Sequence, residues 1–174
     1  MELQERMNDA FDNYLSVSNI LVDDGMLLLD LKDDDVKWRR HFIRSTAAMI
    51  EGYSHCFRQI SAIGLECDSI NLTKAEREVL LNEGKFNATD RIKLTLRVSY
   101  KMFGYSPIPN FESDDWQNAI YALDRRHMLM HPKTVDDLEI SSESWDRIHS
   151  GLEWLITQHF KFIQLIYENH GKKD

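Results

Sequence analysis

A chain of 174 residues, of which 43% are hydrophobic, is long enough to bury a sizeable core and too apolar for an intrinsically disordered protein. No apolar run approaches the length of a membrane span, and no basic and then apolar stretch marks a secretory signal, so we expect a cytoplasmic protein with no membrane partner. The net charge of −8 argues against a protein that binds nucleic acid through broad electrostatic attraction.

The negative charge is concentrated near the start of the chain. Residues 1–35 include ten acidic and two basic side chains, whereas acidic and basic residues balance over the remainder. The neutral remainder can therefore hold a local phosphate site. The acidic start is interpreted as a solvated surface, with a basic partner as the alternative. The two cysteines, Cys56 and Cys67, are predicted to be thiols of a reducing cytosol rather than a disulfide.

The first part of the chain is predicted to form two long helices. Apolar residues recur at three-to-four spacing over about residues 2–29, and Asp23-Asp24-Gly25 is expected to break or bend this first helix. Acidic residues 33–35 supply capping and favourable dipole charge for a second helix from Val36 to Gly64. Two apolar stripes run along the second helix, which is typical of a central helix in a bundle.

Short polar residues predict where the remaining helices begin. Their side chains can accept a hydrogen bond from the first free backbone amides of a helix, and the candidates are Thr73, Thr89 or Asp90, Ser113, and Ser141 or Ser142. Residues 132–141 are predicted to form a loop. The whole pattern predicts one all-α domain over residues 1–174, a helical bundle of four long helices plus one or two short ones.

The segment before this loop holds an arginine and a histidine with four residues between them, Arg126 and His131. Arginine can grip a phosphate with two parallel hydrogen bonds, and histidine can exchange protons near neutral pH. On an ideal helix the two would lie about 140° apart, so they share a face only if the helix ends between them. Pro132 disfavours helical geometry at His131 and predicts such an end. Cationic side chains are also favoured at helix C-termini, so spacing alone leaves a plain surface role open.

This segment resembles the R-x(4–6)-H motif of the HEPN (higher eukaryotes and prokaryotes nucleotide-binding) superfamily. In that motif the residue after the arginine is often Asn, Asp or His, and here it is His127, while Pro132 and Lys133 follow the histidine. The run from Arg44 to Gly52 is also similar to an earlier helix of many such proteins. Some toxins of the superfamily carry a tyrosine that receives a nucleotide two residues after the histidine. Lys133 stands there in this chain, so that regulation is not expected.

The resemblance implies a small helical bundle that forms a homodimer through its motif helices. Many members are metal-independent ribonucleases of toxin–antitoxin or phage-defence systems, so RNA is the implied substrate and an antitoxin or defence protein the implied partner. His131 would act as general base or acid, and Arg126 would stabilise the negative charge that develops when the ribose 2′-OH attacks the adjacent phosphate. His127, Arg44, Glu51 and Lys133 are the implied supporting or substrate-binding residues, and no metal or cofactor is expected.

A polar stripe on the second helix allows two interpretations. Its members fall at spacings of four, seven, four and three residues, roughly on one face: Arg40, Arg44, Glu51, His55 and Arg58. In the first interpretation the stripe is a solvated edge, with Glu51 paired to His55 or Arg58. In the second, Arg44 and Glu51 line the cleft, where Glu51 orients Arg126 or His131 and Arg44 binds a second phosphate.

Two further functions compete with the ribonuclease. A catalytically silent HEPN-like module would bind a nucleotide, RNA or a protein partner, and the acidic balance favours a protein partner. Asp124, His127 and His131 are spaced three and four residues apart and could form a metal triad, which would make the chain a metal-binding helical bundle. His127 also continues an apolar line of its helix, so it could instead be a satisfied buried histidine.

Overall fold

The computed structural model describes residues 3–30, 36–66 and 70–170, and every regular element in these ranges is a helix. The prediction of an all-α protein is therefore confirmed. The helices are α1 (Leu3–Asp30), α2 (Val36–Leu65), α3 (Lys74–Leu81), α4 (Ala88–Met102), α5 (Asp114–Met130) and α6 (Ser142–His170), with one turn of 3₁₀ helix at Asp136–Leu138. None of the described helices combines the length and the apolar character needed to cross a membrane.

Local capping chemistry sets the start of the short helix α3. The hydroxyl of Thr73 accepts a hydrogen bond from the amide of Glu76 at 3.3 Å, and the Glu76 carboxylate accepts one from the amide of Thr73 at 2.8 Å. This is the predicted capping box. At the start of α6, the amide of Ser144 donates to the hydroxyl of Ser141 at 3.1 Å, so Ser141 provides the predicted cap.

The predicted N-caps of α4 and the predicted break of α1 at Gly25 are wrong. The N-cap of α4 is Asn87, neither Thr89 nor Asp90, because the Asn87 side chain accepts the amide of Asp90 at 2.7 Å and asparagine caps as well as aspartate does. The helix α1 continues through Gly25 without a break, since one glycine costs a long helix only about 1 kcal/mol. The predicted capping run at residues 33–35 and the thiol of Cys67 lie outside the described residues.

The described structure divides into two compact units. The first comprises Met1–Ser16, Gly52–Pro109 and Thr157–Asp174. Its core combines aromatic and aliphatic side chains: the ring centroids of Phe57 and Phe162 lie 4.6 Å apart, and Tyr53 and Leu96 are fully buried. Helix α3 packs against α4 through a smaller apolar cluster of Leu72, Val79, Leu80, Val98 and Met102. Cys56 is a buried free thiol.

The second unit comprises Val17–Glu51 and Asn110–Ile156, and it contains the whole of α5. Gly151 of α6 permits a close helix crossing there, because an added Cβ would lie 2.3 Å from the backbone carbonyl of Asn118 and 2.5 Å from the amide nitrogen of Ala119. Ile148 and Leu152, which lie close to Gly151 in the sequence, are buried. The crossing holds α5 against α6 within this unit, and α5 carries the candidate site at its C-terminal end.

Candidate active site at the end of helix α5

Helix α5 has well-defined ends. The hydroxyl of Ser113 accepts a hydrogen bond from the amide of Trp116 at 3.2 Å, which makes Ser113 the predicted N-cap. At the other end His131 is the C-cap with φ −132° and ψ 56°, and its amide donates to the carbonyls of His127 and Met128 at 3.1 and 3.2 Å. His131 therefore lies just past the helix, as the following proline predicts.

The helix end brings two imidazoles together. The ring centroids of His127 and His131 lie 5.1 Å apart, and both side chains are exposed to solvent. His127 is thus not a buried histidine. An exposed pair of imidazoles at this distance can serve one ligand from two sides, since each ring can donate or accept a proton.

Arg126, next to His127 in the chain, is fixed by a carboxylate. Its Nη2 donates to Oε2 of Glu51 at 3.0 Å, and the two side chains are 23% and 37% exposed. The Nε atom of Arg126 is buried and has no hydrogen-bond partner among the described residues. Within the same residues no hydrogen bond joins the side chains of Arg126 and His131. The arginine is held in place, and it keeps an unused donor.

Glu51 therefore contacts Arg126, and neither His55 nor Arg58 is its partner in the described structure. Arg58 is itself buried and belongs to the first unit, where its Nη1 donates to the hydroxyl of Thr95 at 3.3 Å. The polar stripe of α2 is consequently not one solvated, salt-bridged edge. Arg40, Arg44 and Glu51 have partners in the second unit, Arg58 has its partner in the first, and the side chain of His55 is exposed.

Arg44 contacts the protein backbone at the end of α5. Its Nη2 donates to the carbonyl of Leu129 at 2.8 Å. The last carbonyls of a helix have no partner within the helix, so this bond satisfies one of them. Arg44 therefore positions the helix end. Only its remaining N–H groups could bind a phosphate.

Three more arginines hold the post-motif segment, which we define as residues 132–140. Arg40 donates to the carbonyl of Leu138 at 3.0 Å, Arg125 to that of Glu139 at 2.6 Å, and Arg39 to that of Ile140 at 3.4 Å. Sequence reasoning missed these contacts. The one available signal was the group of basic residues Lys37, Arg39 and Arg40 at the start of α2.

Lys133 has an exposed side chain, and its backbone is tied within the post-motif segment. The carboxylate of Asp137 accepts hydrogen bonds from the amides of Lys133 and Thr134 at 2.8 and 2.9 Å. These two bonds hold the pKa of Asp137 below its usual value, and the bond from Lys133 has the larger effect. The segment that follows His131 is therefore anchored by charged side chains at both its start and its end.

No group of three His, Cys, Asp or Glu side chains in the described part of the chain is arranged to hold a metal ion. This includes the proposed triad of Asp124, His127 and His131. The two imidazoles and the guanidinium of Arg126 at the end of α5 are groups that can transfer protons and stabilise an anion.

Comparison with known proteins adds no family. No family model matches the chain, and no curated protein or solved structure matches it significantly.

Proposed function

We propose that the chain is a metal-independent endoribonuclease that cuts RNA at the end of α5. The observation that carries the proposal is the pair of exposed imidazoles of His127 and His131, 5.1 Å apart, directly after an arginine that Glu51 holds. Two histidines supply a base and an acid, and the arginine supplies a fixed positive charge.

The proposed reaction is a transesterification within the RNA. His131 takes the proton of a ribose 2′-OH while the 2′ oxygen forms a bond to the adjacent phosphorus. The bond from phosphorus to the 5′ oxygen breaks, and protonated His127 gives its proton to that leaving oxygen. Arg126 stabilises the additional negative charge on the phosphoryl oxygens. The products are a 2′,3′-cyclic phosphate and a free 5′-hydroxyl.

The finer parts of the proposal follow from the resemblance to the HEPN superfamily. They are a bundle of four long helices with one or two short ones, a homodimer through the motif helices, a cytoplasmic location, and a role beside an antitoxin or a phage-defence protein. The exposed side chains of Met128 and Met130, 36% and 46% accessible, support an interface at the motif helix.

The test is cleavage of end-labelled RNA in the presence of EDTA by the wild type and by His131→Ala. We expect cleavage by the wild type, with a cyclic phosphate on the product, and a loss of about 100-fold or more in the variant. His41→Ala is the matched control, because His41 is an exposed histidine of the same unit outside the site. No cleavage by folded wild type, or equal loss in both variants, would contradict the proposal.

A second candidate is a catalytically silent module that binds RNA, a nucleotide or a protein. The acidic surplus of residues 1–35 and the neutralisation of Arg126 by Glu51 support it. Under this function the wild type releases no product from any RNA, and Arg126→Ala changes only the affinity for the bound partner. Single-turnover cleavage and equilibrium binding on the same RNA separate the two functions.

A further inference from the structure

The last arginine of α2, Arg58, lies in the first unit in an unusual electrostatic position. Arg58 is only 9% exposed, and its one hydrogen bond among the described residues goes to the hydroxyl of Thr95, at 3.3 Å. Thr95 is fully buried. A hydroxyl is neutral, so this bond leaves the positive charge of the guanidinium uncompensated. Buried charges in proteins are ordinarily paired, because an isolated one is costly to remove from water.

The charged neighbour of Arg58 makes this imbalance larger. Burial lowers the pKa of the Arg58 guanidinium from its usual value, and the positive charge of Arg91 lowers it further. Arg91 and Thr95 lie four residues apart on α4, so they fall on one face of that helix. Arg91 has one side-chain hydrogen bond in the described structure, to the amide oxygen of Asn82 at 3.5 Å, and that partner is also neutral.

The one acidic group that acts on Arg58 does not neutralise it. That group is the thiol of Cys56, and burial raises its pKa, so it is protonated and uncharged near neutral pH. No carboxylate in the described part of the chain forms an ion pair with Arg58 or Arg91. Another buried charge of the first unit does have charged partners: the Glu76 carboxylate, 1% exposed, contacts Lys101 and Arg97.

We propose that Arg58, Arg91 and Thr95 form a binding site for a phosphate group, either as inorganic phosphate or as the phosphate of a mononucleotide. Two guanidinium groups present several N–H donors to a tetrahedral anion, and the planar fork of arginine fits phosphate oxygens well. Bound phosphate would compensate the buried charge and remove the repulsion between the two arginines. The site lies in the first unit, and it is independent of the ribonuclease proposed for the second.

The test is calorimetric titration of the full-length protein with inorganic phosphate, adenosine 5′-monophosphate and adenosine at constant ionic strength. We expect the two phosphate-bearing compounds to bind and adenosine not to bind. Equal affinities identify phosphate alone as the ligand, and tighter binding of the monophosphate identifies a nucleotide. Amide NMR signals of residues 91–95 should shift on addition of either compound.

Variants assign the binding to this site. Arg91→Gln should weaken phosphate binding about tenfold or more, because it removes charged hydrogen bonds, and Arg58→Met should abolish it. Arg77→Gln is the matched control, since it removes the same charge from an exposed position on α3 of the same unit. Arg91 is only partly buried, so its variant tests the site even if Arg58→Met does not fold. No binding of phosphate by the wild type, or equal weakening by Arg91→Gln and Arg77→Gln, would overturn the proposal.

Discussion

The two units use the arginines of α2 in opposite ways. In the second unit Arg39, Arg40 and Arg44 donate to backbone carbonyls of residues 129–140, and Glu51 receives Arg126. In the first unit Arg58 is buried against a neutral hydroxyl, with Arg91 as its charged neighbour. Arg39, Arg40 and Arg44 each join α2 to a backbone carbonyl of another segment of the second unit, whereas Arg58 is bonded to one buried hydroxyl and has a second arginine as its charged neighbour.

The largest effect is expected at Arg126. Arg126→Ala removes the charge that stabilises the phosphoryl oxygens, and we expect RNA cleavage to fall about 100- to 1,000-fold with unchanged folding. Single-turnover cleavage in EDTA measures this loss. Cleavage that survives in this variant would show that the charge of Arg126 has no part in the reaction, and the contrast between the two units would disappear.

Glu51 provides a second test of the role of Arg126, because its carboxylate holds the guanidinium in place. If the carboxylate positions the arginine, Glu51→Gln should lower kcat more than it raises KM, and Glu51→Asp should restore part of the rate. Equal behaviour of the Gln and Asp variants, with no change in kcat, would mean that the ion pair has no part in the reaction.

The next largest effect is expected on the free energy of unfolding, at the crossing of α5 and α6. Gly151→Ala places a Cβ against the backbone of Asn118, so we expect the free energy of unfolding to fall by about 1–3 kcal/mol. Gly25→Ala is the matched control: nothing lies within 4 Å of its added Cβ in α1, and it should raise stability by about 0.4–1 kcal/mol. Urea unfolding of both variants checks the pair, and a stable Gly151→Ala would contradict the close crossing.

Glu76 tests how the first unit treats a buried charge that has partners. Burial raises the pKa of Glu76, but hydrogen bonds from Lys101 and Thr73 outweigh burial and hold it below the usual value. A lowered pKa stabilises the fold above the pKa of the unfolded chain, and this contribution is lost as the pH falls through the folded pKa. Glu76→Gln should therefore cost about 1–3 kcal/mol near neutral pH.

The difference between wild type and Glu76→Gln should shrink as the pH falls through the carboxyl range. Urea unfolding at a series of pH values measures it. If the difference in the free energy of unfolding does not depend on pH, the charge of Glu76 contributes nothing to the stability of the fold. Glu76 would then no longer serve as the paired buried charge with which Arg58 is compared.

Local chemistry made much of the helix pattern predictable. Thr73 and Ser113 cap helices as expected because a cap needs only residues within one turn, and Pro132 correctly ends α5 before His131. Asn87 was missed because several polar residues compete for the same cap. The interrupting effect of Gly25 was overestimated because the rest of a long helix outweighs it.

The contacts that define the candidate site could not be derived from spacing. Arg40 reaches Leu138 across 98 residues, and Arg126 reaches Glu51 across 75. Such bonds depend on how the helices pack, and Gly151, which permits one of the crossings, is an ordinary glycine in the sequence. The closeness of His127 and His131 was predictable because His131 caps the end of α5, four residues after His127.

We propose that both units bind phosphate groups: the second unit cleaves the phosphodiester of RNA, and the first unit binds a phosphate at Arg58 and Arg91. The most direct test measures RNA cleavage in EDTA and phosphate binding on two variants, Arg126→Ala and Arg58→Met. We expect Arg126→Ala to lose cleavage and to retain the phosphate-induced NMR shifts of residues 91–95. Arg58→Met should lose those shifts and retain cleavage. Loss of both activities in either folded variant, or of neither in both, would contradict the account.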